Sequence, residues 1–311
     1  MKIGLQIPNF TFGTPDGQLF EQVVDRAVAA EESGFDSVWV MDHFYQLPAL
    51  GGPSQPMLEA YTLLGAIGAR TGRVRLGTLV TGVTYRNPAL LAKTVTTLDV
   101  ISGGRAILGI GAAWYDVEHE GLGVDFPSDG DRLDRLEEAV QICRAMFRGE
   151  RPTFAGHYFR TDSAWNVPPP LQPGGPPILI GGGGERRTLR LVARYADFCN
   201  VIGDLSTIRR KVDVLRRHCE SEGRDPAEIT VSRLSTLVLT DSAEETVTTR
   251  EFLRDAVGEE SGFNVGREDD ILEQVEELRA AGVGYFIFNM PTSGPDAVRR
   301  LGQMFGDRLT A

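Results

Sequence analysis

An aspartate and a histidine, Asp42 and His43, close the segment SVWVM at 37–41. That segment is short, β-branched and aromatic, the composition of a buried parallel strand. A carboxylate and an imidazole at the C-terminal end of such a strand face whatever lies over that edge of the sheet. In parallel α/β folds ligands bind there. Histidine is also the side chain best suited to passing a proton near neutral pH. The pair is therefore a candidate catalytic centre, with a hydrogen-bonded strand cap as the plainer reading.

Three further strand ends carry unusual residues. Gly181, Gly182, Gly183 and Gly184 follow a strand and precede a helix that opens with Glu185, Arg186 and Arg187. Glycines let backbone approach a ligand, and a helix start offers N–H groups and a positive dipole end. Two arginines in that first turn oppose the dipole and make sense if an anion is bound there. The loop is neither a Walker loop nor a Rossmann fingerprint. Gly109 and Gly111 form a GxG at another strand end, where a flat ligand could lie on the backbone. Thr81 to Arg86 (TGVTYR) is a second β-rich segment with a lone Gly82 inside, the mark of a bulge or a close approach.

Other residues invite less. Glu118 and His119 lack the spacing of a helical zinc site, so Glu118 is read as a structural hydrogen-bond partner and no metal is expected. His157 and His218 receive no role. Trp39, Trp114 and Trp165 read as core or pocket wall, with Trp114 where a ligand would pass.

The elements that must hold these residues alternate along the chain. Strand patterns fall at 2–7, 37–41, 75–80, 105–110, 178–180, 197–202, 229–239 and 285–289, with helical patterns between them. Asn87-Pro88 is a strong helix start. Eight βα units in series predict a (β/α)8 TIM barrel, one domain over 1–311, in preference to a doubly wound open sheet. Two stretches break the rhythm. Residues 115–130 read as irregular and acidic. Residues 149–177, rich in Pro and Gly, lie between strands four and five and read as a functional insertion on the barrel top. The loop at 47–56 is a candidate substrate wall.

Composition narrows the partners. A net charge of -11 argues against nucleic acid, while 41% hydrophobic residues suffice for a large core. Cys143, Cys199 and Cys219 show no CxxC spacing, so neither a disulfide framework nor a zinc site is indicated. No signal-peptide pattern and no membrane-length apolar run is read, so a cytoplasmic location is expected.

The segments VMDHF, LVTGVTYRNPALLAKTVTTLDVISGGRAILGIGAAW and PILIGGGGERRTLRLVARYADFCN are similar to the luciferase-like flavin and deazaflavin oxidoreductases, in the right order over nearly the whole chain. The Asp-His pair and the GVT segment most resemble the coenzyme F420-dependent branch. The resemblance implies a barrel with an insertion, a homodimer, and hydride transfer between F420 and a small molecule. It implies that Asp42 and His43 lie near the reactive ring, with His43 as proton donor or base. It further implies that Gly82, Val83 and Thr84 form a bulge behind the ring, with a non-proline cis bond at Gly82–Val83. Gly109, Gly111 and Ala112 would face the ring or ribityl side, and Gly181 to Gly184 with Arg186 would bind the phosphate. One departure stands out. The sugar-phosphate dehydrogenases of the branch carry a glutamate acid where this chain has Ala112, which puts a sugar-phosphate substrate in doubt. The competing readings are a reduced-FMN monooxygenase and a non-catalytic barrel that keeps a ligand pocket.

Overall fold

A computed structural model describes residues 1–257, 262–291 and 293–308. Strand β1 (Lys2–Ile7) pairs in parallel with β2 (Ser37–Val40) on one side and with β8 (Tyr285–Asn289) on the other. The series continues through β3 (Arg75–Thr78), β4 (Ala106–Gly111), β5 (Ile178–Gly181), β6 (Phe198–Val201) and β7 (Thr230–Leu239). Strand β7 pairs with both β6 and β8, so the sheet closes into the expected (β/α)8 barrel. A closed barrel buries both faces of every strand, which is why sequences such as YFIFN and AILGIG run apolar without alternation.

The helices surround it: α1 (Leu19–Glu32), α2 (Ala60–Arg70), α3 (Pro88–Ser102), α4 (Asp116–Leu122), α5 (Asp129–Phe147), α6 (Thr188–Tyr195), α7 (Leu205–Glu222), α8 (Ala243–Val257), α9 (Glu268–Ala280) and α10 (Pro295–Phe305). Asn87 caps α3 by accepting from Ala89 N, with Pro88 at the first helical position. The barrel interior is filled by Trp39, Leu79, Ile107, Leu179, Tyr285 and Ile287. A Cβ on Gly77 would lie 2.7 Å from the Trp39 ring, so a side chain there would evict the indole from the middle of the barrel. No helix among the described residues is long and apolar enough to cross a membrane.

Both irregular stretches differ from expectation. Residues 115–130 contain α4, which buries Glu118 and His119 and ends at Gly123 in the left-handed region, φ 68°. Residues 149–177 do not sit on the barrel top. They run from the C-terminal end of α5 to the N-terminal end of β5, and helix-to-strand connections lie at the N-terminal face of the strands. Asp99 of α3 pins them there, accepting from Leu171 N at 2.7 Å and Gln172 N at 3.2 Å. Gln172 Nε2 in turn donates to the carbonyl of Ala106, where β4 begins. A small hairpin within the stretch packs on α5, whose Glu138 accepts from the backbone of His157, Tyr158 and Phe159. Gly and Pro content identified a loop but carried no information on which end of the barrel it covers.

Candidate functional site

His43 follows the end of β2 and lines a cavity of about 690 Å³ at the C-terminal face of the barrel. Its Nδ1 donates to Glu118 Oε1 at 2.7 Å, which leaves Nε2 as the ring nitrogen not committed to Glu118. Glu118 is fully buried on α4 and also accepts from Phe44 N (2.7 Å), Tyr45 N (3.2 Å) and the Tyr85 hydroxyl. Burial alone would raise its carboxyl. The hydrogen bonds from His43 and Tyr85 outweigh burial and hold it below the usual glutamate range. An ionised carboxylate on Nδ1 fixes the imidazole's tautomer and angle, the arrangement used where a histidine must present one nitrogen to a reacting group. Trp114 and Tyr115 meet the ring edge-on, with centroids 5.7 and 5.8 Å away. The sequence reading gave Glu118 a structural role without its partner; the two residues lie 75 positions apart.

Asp42 is placed differently from His43. Its carboxylate is 2% exposed as a residue and is gripped by Arg86, whose two terminal nitrogens lie 2.5 and 3.0 Å from the two oxygens. Arg86 also reaches Glu59 at 2.7 Å and lies over the Tyr61 ring. Burial lifts the Asp42 carboxyl above its ordinary range against the pull of Arg86. Both oxygens being engaged, Asp42 anchors the strand end that carries His43.

Val80 forms a ledge across the cavity. Its neighbours on β4 and β5 are glycines: an added Cβ would come within 2.8 Å of the Val80 side chain at both Gly111 and Gly181, and within 3.5 Å at Gly109. Gly109 is tighter still, since its Cβ would sit 1.9 Å from the Thr78 carbonyl oxygen. These glycines therefore make room for the chain's own β3 end. The non-proline cis bond is at Leu79–Val80, not at Gly82–Val83 as the sequence suggested. Glycine content was a misleading guide there, because the crowded residue is Val80 and the glycines that accommodate it lie on neighbouring strands. Gly82 lines the cavity, as do Gly111 and Ala112, whereas Gly109, expected beside them, does not line it and packs against the Thr78 carbonyl. Val83 is instead buried in the core between barrel and helices, and the Thr84 hydroxyl donates to His119 Nε2 at 2.7 Å.

At the far end lie Gly181, Gly182, Gly183, Gly184 and Thr188, just before and at the start of α6. Gly182, at φ 121°, already donates its N–H to the Asn200 carbonyl. The amides further along, at Gly183 and Gly184, are the ones an anion could reach. Lys211 on α7 presses on this loop: a Cβ on Gly183 would fall 2.1 Å from its Nζ, and one on Gly184 would fall 2.8 Å from the Thr188 hydroxyl. Backbone amides, a helix start and an ammonium thus converge on one spot. The sequence reading did not single out Lys211, one of five cations along α7. Arg186 is exposed and does not line the cavity, while Arg187 is turned outward to Asp134.

The remaining histidines are occupied elsewhere. His119 uses both ring nitrogens, on the Tyr115 carbonyl and the Thr84 hydroxyl, and stacks on Tyr85 at 4.5 Å. His218 donates to the Glu185 carbonyl, and His157 packs on Tyr158. Trp165 is 64% exposed and outside the cavity, whereas Trp39 is core.

A family model described as luciferase-like monooxygenase matches residues 1–257. A curated F420-dependent glucose-6-phosphate dehydrogenase of Nakamurella multipartita is 41% identical over 177 residues, 57% of this chain and 50% of the relative. The chain thus spans about half the length of such relatives. Among solved structures, the coenzyme F420 dependent tetrahydromethanopterin reductase of Methanopyrus kandleri superposes with TM-score 0.80 at 19% identity, covering 99% of each chain. A monooxygenase from Streptomyces bottropensis gives TM-score 0.80 at 22% identity, covering 99% of this chain and 98% of that one. At such identities these two establish the fold alone.

Proposed function

The chain belongs to the luciferase-like monooxygenase family, and from that premise we propose that it is an F420-dependent oxidoreductase moving a hydride between the deazaflavin and a small organic substrate. The observation that carries this reading is the polarity of the cavity that His43 lines. His43, aligned by Glu118, stands at one end, the Gly181–Gly184 loop with Lys211 at the other, and the Val80 ledge between them. These residues fit a flat ring with a phosphorylated side chain. Val80 would back the ring, Gly111 and Ala112 would border it, and the amides of Gly183 and Gly184, Thr188 and Lys211 would hold the phosphate.

When bound, the deazaflavin supplies a carbon that accepts or gives a hydride and forms no stable oxygen adduct. The protein supplies the accompanying proton step at His43 Nε2 and the apolar shelter of the cavity. The name shared by the curated relatives supports the cofactor; the fold does not separate F420 from reduced FMN. Fluorescence titration of the purified protein with each cofactor decides between them. Saturable quenching of F420 at lower concentration than FMN supports the proposal, and preferential FMN binding overturns it.

A further inference from the structure

The cavity is built from two kinds of residue. The barrel strands contribute the polar side chains Gln6, Asn200, Thr236 and Asn289, and Asp42, His43, Tyr85 and Thr188 add polar groups beyond the strand ends. Some of their groups are already spent: Asn289 Nδ2 donates to Gln6 Oε1 at 2.9 Å and Asn200 Nδ2 to the Ser232 hydroxyl at 3.1 Å, while Asn289 Oδ1, at the strand end of the cavity, has no partner among the described residues. The loops over the barrel contribute Leu47, Ala49, Leu50, Trp114 and Pro291, all apolar. The 47–50 wall is fixed in place. Gln46, wholly buried, donates to the Pro8 carbonyl at 3.3 Å and accepts from Leu47 N at 2.8 Å.

The lining residues able to carry charge are, among those described, Asp42, His43 and Tyr85. Asp42 is closed off by Arg86, and the Tyr85 hydroxyl donates to Glu118. No lysine or arginine lines the cavity, and residues 258–261 and 292 contain none either. Three cations touch its wall from behind: Arg86 is spent on Asp42 and Glu59, Arg132 on the Ala112 and Pro127 carbonyls and on Asp129, and Lys211 lies behind Gly183, at the end assigned above to the cofactor phosphate. Recognition of a phosphate or carboxylate in a desolvated pocket needs a cation or several aimed donors. A polyol needs unspent polar side chains, because each buried hydroxyl left unpaired is costly. The loop end of this cavity offers neither. It offers an indole instead: Trp114 is 61% exposed while contacting His43 edge-on, an apolar surface left uncovered beside the proton-handling residue.

We propose that the substrate is a neutral, mainly apolar carbonyl compound or the corresponding alcohol, not a sugar phosphate, and that Trp114 and Leu50 select it. This rests on the hydride-transfer reading given above and departs from the substrate named for the curated relatives. In the reducing direction the carbonyl carbon would take a hydride from the reduced deazaflavin in its ring-deprotonated, anionic form. The π pair moves onto oxygen, and that oxygen takes a proton from protonated His43 Nε2. The products are an alcohol, oxidised deazaflavin and neutral imidazole.

Matched ligands test this. Ketones without charge (2-octanone, cyclohexanone, acetophenone) are compared with 7-oxooctanoate and with glucose 6-phosphate, first as substrates with F420. Their binding to the cofactor-free protein is then followed by tryptophan fluorescence, with Trp114→Phe identifying the signal that belongs to the site. The expected result is a preference for at least one neutral ketone over 7-oxooctanoate by about 10-fold or more, the scale of a single pocket contact. Leu50→Arg should narrow or reverse that preference. Turnover or tighter binding of the carboxylate or the sugar phosphate, or failure of every neutral ketone to bind, overturns the proposal. If F420 fails to bind while the cofactor-free protein still prefers the neutral ketone, the cofactor reading falls and the substrate class stands.

Discussion

Glu118 Oε1 lies 2.7 Å from His43 Nδ1, so a carboxylate from the helix after β4 aims an imidazole from the end of β2. Each is held by further contacts, Glu118 by two backbone N–H groups and His43 by two aromatic edges. Replacing His43 by alanine should lower turnover by ~10²-fold or more, the scale of a general acid or base. Cofactor affinity, read by fluorescence titration, should change little. Turnover close to wild type would remove His43 from the proton step.

Glu118 ties the site to pH. Burial opposes its ionisation, yet hydrogen bonds from His43, Tyr85 and Phe44 hold it below the 4.5 of an ordinary glutamate. A carboxyl titrating lower in the folded state stabilises that state above pH 4.5. The contribution disappears as pH falls through the lower folded-state value. Glu118→Gln should therefore cost more melting temperature at pH 7 than at pH 3. An equal loss at both pH values would show that its charge contributes nothing.

Gly109 and Val80 should separate stability from function. A methyl at Gly109 meets backbone, the Thr78 carbonyl oxygen, which cannot swing aside. Gly109→Ala should destabilise by about 3 kcal/mol or more, at or beyond the top of the overpacking range. Val80→Ala leaves a ledge shorter by two methyl groups beside a large cavity and should cost about 1 kcal/mol or less, since the site is open. Its effect should appear in the hydride-transfer rate instead. Denaturant unfolding and single-turnover kinetics of the two variants check both halves.

Lys211 should matter more to the cofactor than Arg186. Lys211→Ala removes the ammonium against Gly183 and should weaken cofactor binding by about 10-fold, the worth of one charge-assisted hydrogen bond. Arg186→Glu acts from an exposed position, so its smaller effect should fade in high salt. Titrations at two ionic strengths distinguish them, and equal, salt-sensitive losses would move the anion site outward to Arg186.

The barrel was legible because closed parallel strands must be apolar on both faces, and runs such as KIGLQI, SVWV and YFIFN carry that mark without help from tertiary context. The short helix α4 was not. Its seven residues are held by Glu118 and His119, two polar side chains buried against distant partners, so no amphipathic period announces it. The position of 149–177 was missed for a related reason: Asp99 fixes it through contacts some 70 residues away. Of the site, the residue types at strand ends could be read directly. Their orientations could not, since Asp42 turns to Arg86, Val83 to the core and Thr84 to His119.

Gly109, Gly111 and Gly181 border one side chain, that of Val80, from two adjacent strands. Gly109 is closed by the Thr78 carbonyl as well, but Val80, Gly111 and Gly181 form a single unit of variation. Scanning them one at a time will return both glycines as intolerant, because a Cβ at either would lie 2.8 Å from the Val80 side chain. A library that shrinks residue 80 while enlarging Gly111 or Gly181 explores backgrounds that the single-site scan reports as closed. The floor of the cavity can be reshaped by that route, through compensating pairs.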